Sequence, residues 1–241
     1  MLNFLVVHFA TRMYWQARDW DATLALVQNT YDEAGDDADR VLLLSLKSFF
    51  GIIRGDSTES TIDPWQDLGL ESDSPETAST REMLHGMAEL VGGDLEVAYE
   101  RFVAAAEQQP DDVYALGVAM RAALWLRDRD KATTALGRLE EYPATGRVGQ
   151  AFRTWARAGF AALEGRVDEA VAGFADADAR FDEVSAQLPR AEAALDAVIL
   201  LPDRPELRPA AERARETFQQ VGARPYLDRL EQALAIAESV A

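Results

Sequence analysis

The chain of 241 residues contains no cysteine. That absence excludes a disulfide framework, a thiol nucleophile and any cysteine-ligated metal. Lysine is nearly missing too, with Lys47 and Lys131 against 22 arginines, and there are two histidines, His8 and His85. No HExxH or other paired-histidine spacing occurs, so no zinc site and no metal or other cofactor is expected. Long hydrophobic runs are missing: the apolar opening, Met1 to Phe9, is closed by His8 and Arg12, far short of the ~20 residues that span a bilayer. It also lacks a basic start and a small-residue cleavage site, so a soluble cytoplasmic protein without a signal peptide is expected. Strand signals are scarce, with no sustained apolar–polar alternation.

Acidic residues are abundant. Forty-two Asp and Glu against 24 Lys and Arg give a net charge of -18. Such a surface repels phosphates, which argues against free nucleic acid as a partner. The plain reading of the charge is a solvated surface, suited to a GC-rich genome or a salt-adapted host. The adjacent acidic pairs Asp36–Asp37, Asp111–Asp112 and Glu140–Glu141 fall at expected helix ends, where exposed charge is ordinary. No pair of carboxylates is set in the unlike environments that acid–base catalysis needs, and no serine has a nucleophile-elbow context. No catalytic residue and no enzyme is read.

Ala, Leu, Glu and Arg dominate, all good helix formers. Three apolar stripes at helical spacing stand out: Leu95, Ala98, Phe102 and Ala105; Ala132, Leu136 and Leu139; Val167, Ala170, Phe174 and Ala177. They are in register with one another. Each follows a turn, at Gly93-Asp94, Arg127-Asp128 and Gly165-Arg166, where Gly supplies a left-handed cap and Asp favours the next helix start. Carrying the register outward gives turns at Asp19, Asp56, Asp94, Asp128, Arg166 and Asp203, at intervals of 37, 38, 34, 38 and 37 residues. A near-constant period with two helices each is the signature of an α-solenoid. The chain is therefore expected to be all-α, a single array over residues 1–241.

The residues Gly86, Gly93, Asp94, Ala98, Phe102, Ala105 and Pro110 resemble a tetratricopeptide (TPR) repeat. Asp128, Ala132, Leu136, Leu139 and Pro143 follow the same pattern, as do Ala158, Gly165, Ala170, Phe174 and Ala177. The first helix of each pair departs from it, with Lys47, His85 and Arg157 at a usually apolar position. The longer period, and the tail from Ala214 to Leu227, are similar to the C-terminal repeat regions of large bacterial ATP-binding transcriptional and signalling regulators. This chain itself has no GxxxxGK[ST] loop and no basic recognition helix.

The resemblance implies a right-handed α–α superhelix of about six helix pairs with a capping helix over 223–240. It implies a concave groove lined by the first helix of each pair, binding a protein or peptide. On that basis the groove residues are His8, Phe49, Met83, Met87, Tyr114, Arg121, Trp125 and Trp155, with Leu5, Arg12 and Leu42 on the same face. Met, Trp, Tyr and Arg make adaptable, high-contact surfaces; the plainer alternative is that Met83, Met87 and Trp155 fill the interior and that His8 has no special role. Two functions stay open: an interaction scaffold, and a ligand-sensing or regulatory repeat region of a bacterial regulator. The second repeat breaks the pattern. Pro64 falls where an aromatic is due, so residues 57–79 are expected to form a degenerate repeat, a short helix from Asp63-Pro64 to Gly69 and then an acidic loop to about Ser79.

Overall fold

The computed structural model describes residues 2–35, 37–56, 58–64, 74–110, 112–141 and 146–240. Among these the chain forms thirteen helices and no strand. They are α1 (Leu2–Gln16), α2 (Trp20–Glu33), α3 (Asp37–Arg54), α4 (Glu59–Ile62), α5 (Pro75–Gly92), α6 (Leu95–Gln108) and α7 (Val113–Leu126). They continue as α8 (Arg129–Glu141), α9 (Arg147–Leu163), α10 (Val167–Glu183), α11 (Gln187–Leu200), α12 (Arg208–Val221) and α13 (Arg224–Val240). A 3-10 turn at Pro205–Leu207 precedes α12. No described helix is long and apolar enough to cross a membrane.

The turns inferred from the sequence separate α1 from α2, α3 from α4, α5 from α6, α7 from α8, α9 from α10 and α11 from α12. Their chemistry is shared. After α7, Arg127 takes a left-handed conformation (φ 54°), its N–H bonding to Leu124 O while the Asp128 N–H reaches back to Ala123 O, both at 3.1 Å. The same pair of bonds closes α1 at Ala17 and Arg18, α3 at Gly55 and Asp56, and α9 at Gly165 and Arg166. This arrangement satisfies carbonyls that a helix end leaves without partners. Asp94 and Asp128 then accept from the first turn of the following helix, at Val97 N and Lys131 N.

Each second helix buries the stripe read from the sequence. Ala98, Phe102 and Ala105 on α6, Ala132 and Leu139 on α8, and Ala170, Phe174 and Ala177 on α10 are all buried. The approach of α5 to α6 is close: a Cβ on Gly86 would lie 2.7 Å from Phe102 Cε1. Only a residue without a side chain fits there, so the ring packs directly on the α5 backbone.

The second pair departs from expectation. The described helix is α4, which ends at Ile62 with Asp63 as its C-cap. Helix α5 begins at Pro75, four residues before the expected loop end at Ser79, because Ser74 caps Thr77 N and Pro75 occupies the first turn. Residues 65–73, where the rest of the short helix and acidic loop were expected, lie outside the described residues, as does Pro143.

Consecutive helices pack on each other, and α1 on α3, α3 on α5, α7 on α9, α9 on α11 and α11 on α13. Contacts also join the two ends of the chain. Helix α11 packs against α1, α7 and α9, and α13 packs against α3. Arg54 at the end of α3 donates from Nε to Val221 O (2.8 Å) at the end of α12 and pairs with Asp21 on α2 (2.7 Å). One apolar core runs from Tyr14 to Ala233, and a smaller one, Val6, Ala10, Val27, Ala34 and Leu43, joins α1, α2 and α3.

Candidate functional site

Helices α7 and α11 are apolar almost all round, as helices enclosed by neighbours are. Within α7 the one charged side chain is Arg121; in the middle of α11 stand Glu192 and Asp196, one turn apart. All three are sealed from solvent, at 2 %, 1 % and 0 % exposure. A buried charge is tolerated only when it is paired and hydrogen-bonded. Asp196 meets that condition. Arg121 Nε lies 3.3 and 3.2 Å from its two oxygens, Trp125 Nε1 donates to Oδ1 (2.7 Å) and Trp155 Nε1 donates to Oδ2 (2.9 Å). One carboxylate thus ties α7, α9 and α11 together. Arg121 also lies over the Trp155 indole, 5.3 Å from its centroid.

Glu192 is held differently. Its Oε2 stands 3.1 Å from Arg121 Nη1 but is misaligned for a hydrogen bond, and neither carboxyl oxygen has a hydrogen-bond partner. Burial is the main force on this group and raises it; the Arg121 charge offsets part of that, the Asp196 charge adds to it, and the carboxyl is pushed up to about 7. Burial raises Asp196 as well, opposed by Arg121 and the indole donors. One guanidinium faces two carboxyls, so the cluster is neutral when one carboxyl keeps its proton, the arrangement a low-dielectric interior favours.

Phenols surround the cluster. Tyr14 on α1 and Tyr114 on α7 share a hydrogen bond between hydroxyls (3.2 Å), and Tyr226 on α13 is buried nearby. Burial, reinforced by the Glu192 charge, raises all three above the ordinary tyrosine value, so they stay protonated. Trp15 of α1 packs on Tyr114 and Phe152, with centroids 5.7 and 6.0 Å apart. The cluster therefore joins α1, α7, α9, α11 and α13. Arg121, Glu192 and Asp196 are sealed from solvent, and what they do is hold helices in place.

Of the residues placed in a groove by the sequence, Tyr114, Arg121, Trp125 and Trp155 come together here. Met83 and Met87 are buried on α5 and Phe49 is half-buried 6.3 Å from the Tyr14 ring. Met83, Met87, Arg121 and Trp155 offer no surface to a partner, which corrects their assignment as groove lining. The physical reason for Arg121 and Trp155 is α11, whose Asp196 and apolar side chains cover them. His8 is exposed on α1, its Nδ1 donating to Phe4 O (2.9 Å) and its ring 4.0 Å from that of Phe4. His85 is half-buried, and burial lowers its pKa.

The sequence reading missed Tyr14, Glu192, Asp196 and Tyr226. A signal for the acids was present. In Ala191-Glu192-Ala193-Ala194-Leu195-Asp196-Ala197-Val198 the acids interrupt a run apolar on every face, so burying the helix must bury them. The lone Arg121 in α7 carries the complementary signal. Among the described residues no group of three or more His, Asp and Glu is placed to hold a metal ion. No protein-family model, curated protein or solved structure matches the chain.

Proposed function

We propose that the chain is a non-enzymatic interaction scaffold of the tetratricopeptide-like kind, a right-handed superhelix of about six helix pairs capped by α13, which binds a protein or peptide segment. The repeated turn chemistry and the packing of first helices on one another support the architecture. The observation that carries the binding role is where apolar surface is left in water. Among the described residues, Phe4, Leu5, Phe9, Leu26 and Leu42, between 38 % and 63 % exposed, lie on α1, α2 and α3, and of the large exposed apolar side chains Ile236 on α13 stands apart from them. Residues 4, 5, 8, 9 and 12 share one face of α1, so His8 and Arg12 flank the apolar side chains. A concentrated apolar patch with polar flanks marks an interaction surface. The docking face is thus the α1 and α3 part of the expected first-helix surface, with Phe4, Leu5, Phe9 and Leu42.

Selection from a displayed peptide library on the full chain tests this. Enriched peptides should bind wild type and lose at least tenfold in affinity to Leu5→Asp and to Phe9→Asp, with the helical circular dichroism unchanged. Failure to enrich any peptide, or equal affinity for both variants, would overturn the reading. A second reading, the regulatory repeat region of a bacterial regulator, is favoured by the contacts between chain ends. An α1–α11 junction that opens or closes would give such a region two states.

A further inference from the structure

The C-terminal ends of α7 and α11, the start of α6 and the second half of α13 line an open cavity of about 340 Å³. Ligand pockets begin at about this size. Leu95, Val198, Ile199 and Ala233 make its wall apolar, and Ile236, 57 % exposed, carries that lining out to solvent. Trp125 forms part of the wall, its indole N–H anchored on Asp196.

Two guanidinium groups also line the cavity. Most described arginines stand against a carboxylate. Arg127, exposed, and Arg229 are two of the described arginines outside any ion pair; each donates to a helix-end carbonyl, Arg127 Nη2 to Ile199 O (2.9 Å) and Arg229 Nη1 to Leu90 O (3.3 Å). The Arg229 guanidinium is half-buried and lies 4.2 Å from the centroid of the Trp125 ring, a cation–π contact that fixes its plane. Asp196 is the carboxylate that acts on it from a distance, but its oxygens are taken by Arg121, Trp125 and Trp155. Burial without a counter-ion lowers the Arg229 pKa. In a chain of net charge -18, two cations left without carboxylates on an apolar wall form a site that a bound anion would complete.

We propose that this cavity binds a small amphipathic carboxylic acid, medium-chain or aryl-substituted, with its apolar body against Val198, Ile199 and Ala233 and its carboxylate on Arg229 and Arg127. The site is independent of the α1 docking face. Its ligand would bridge α7, α11 and α13.

Isothermal titration of the full chain with octanoate and with 4-phenylbutyrate tests the site, with the matching primary amides as neutral counterparts. One-to-one binding is expected for at least one acid, with its amide at least tenfold weaker. Arg229→Met and Arg127→Met should each weaken the acid at least tenfold and leave the amide unchanged. Inorganic phosphate should compete poorly, because it brings no apolar body. The proposal is overturned if acid and amide bind alike, if phosphate competes as well as the acids, or if neither acid gives saturable heat at about 1 mM, where binding is worth only ~4 kcal/mol. Should Arg229→Met fail to fold, the acid–amide comparison on wild type and the Arg127→Met titration still decide.

Discussion

Glu192 is a sealed carboxyl whose two oxygens lack a hydrogen-bond partner. Its folded-state value of about 7 stands against 4.5 for an ordinary glutamate. Between those two pH values the folded chain keeps a proton that the unfolded chain has released. Stability therefore falls as pH rises through that window and levels off above about 7. A shift of this size corresponds to roughly 3 kcal/mol. Glu192→Gln keeps the shape and removes the ionisation. It should match wild type near pH 5 and exceed it by about 1–3 kcal/mol at pH 8, read from urea midpoints across that range. Parallel pH curves for the two proteins would show that folding does not shift the Glu192 carboxyl. Asp196→Asn should behave oppositely at neutral pH, since it leaves Arg121 without its hydrogen-bonded counter-ion and costs about 3–5 kcal/mol.

At the scale of the element, the turns and the second-helix stripes decide stability. Ser185 sits in the left-handed region (φ 57°) between α10 and α11, where a side chain costs ~1–2 kcal/mol and glycine costs far less. Ser185→Gly should stabilise the chain by about 1 kcal/mol. Gly165→Ala should do the reverse by a similar amount, because Gly165 has φ 74° and open space around its missing Cβ, so only the backbone responds. Denaturant midpoints of the two variants check the opposite signs. Phe102→Ala should cost ~3–5 kcal/mol, since the ring is fully buried against the bare backbone at Gly86. Unchanged thermal stability would remove Phe102 from the core. The Gly165 turn and the Phe102 stripe were legible in the sequence because they are local, turn residues and apolar spacing of three and four acting within one hairpin; the Ser185 turn was not read. The start of α5 was misread for an equally local reason. The Ser74-Pro75-Glu76 capping signal was present, but the acidic run before it drew the loop on to about Ser79.

At the scale of the whole molecule, little was legible. The pairing of Arg121 with Asp196 and of Arg54 with Val221 O joins residues 75 and 167 positions apart, and no periodicity carries such information. The groove set was accordingly read as open, while α11 covers Arg121 and Trp155. A linear array of repeats can fray from either end. Here α1 is held by α11, and α3 by α13, so the ends protect each other. Arg54 is the clearest link, touching Asp21, Val221 O and the Trp20 ring (5.6 Å). Arg54→Ala should lower stability by about 1.5–3 kcal/mol, the range for hydrogen bonds made by charged groups. Hydrogen exchange should then accelerate in α2, α3, α12 and α13 together while α6, α7 and α8 keep their protection. Acceleration confined to α3 would mean that the contact between the ends carries no cooperative weight, and that the chain unfolds repeat by repeat.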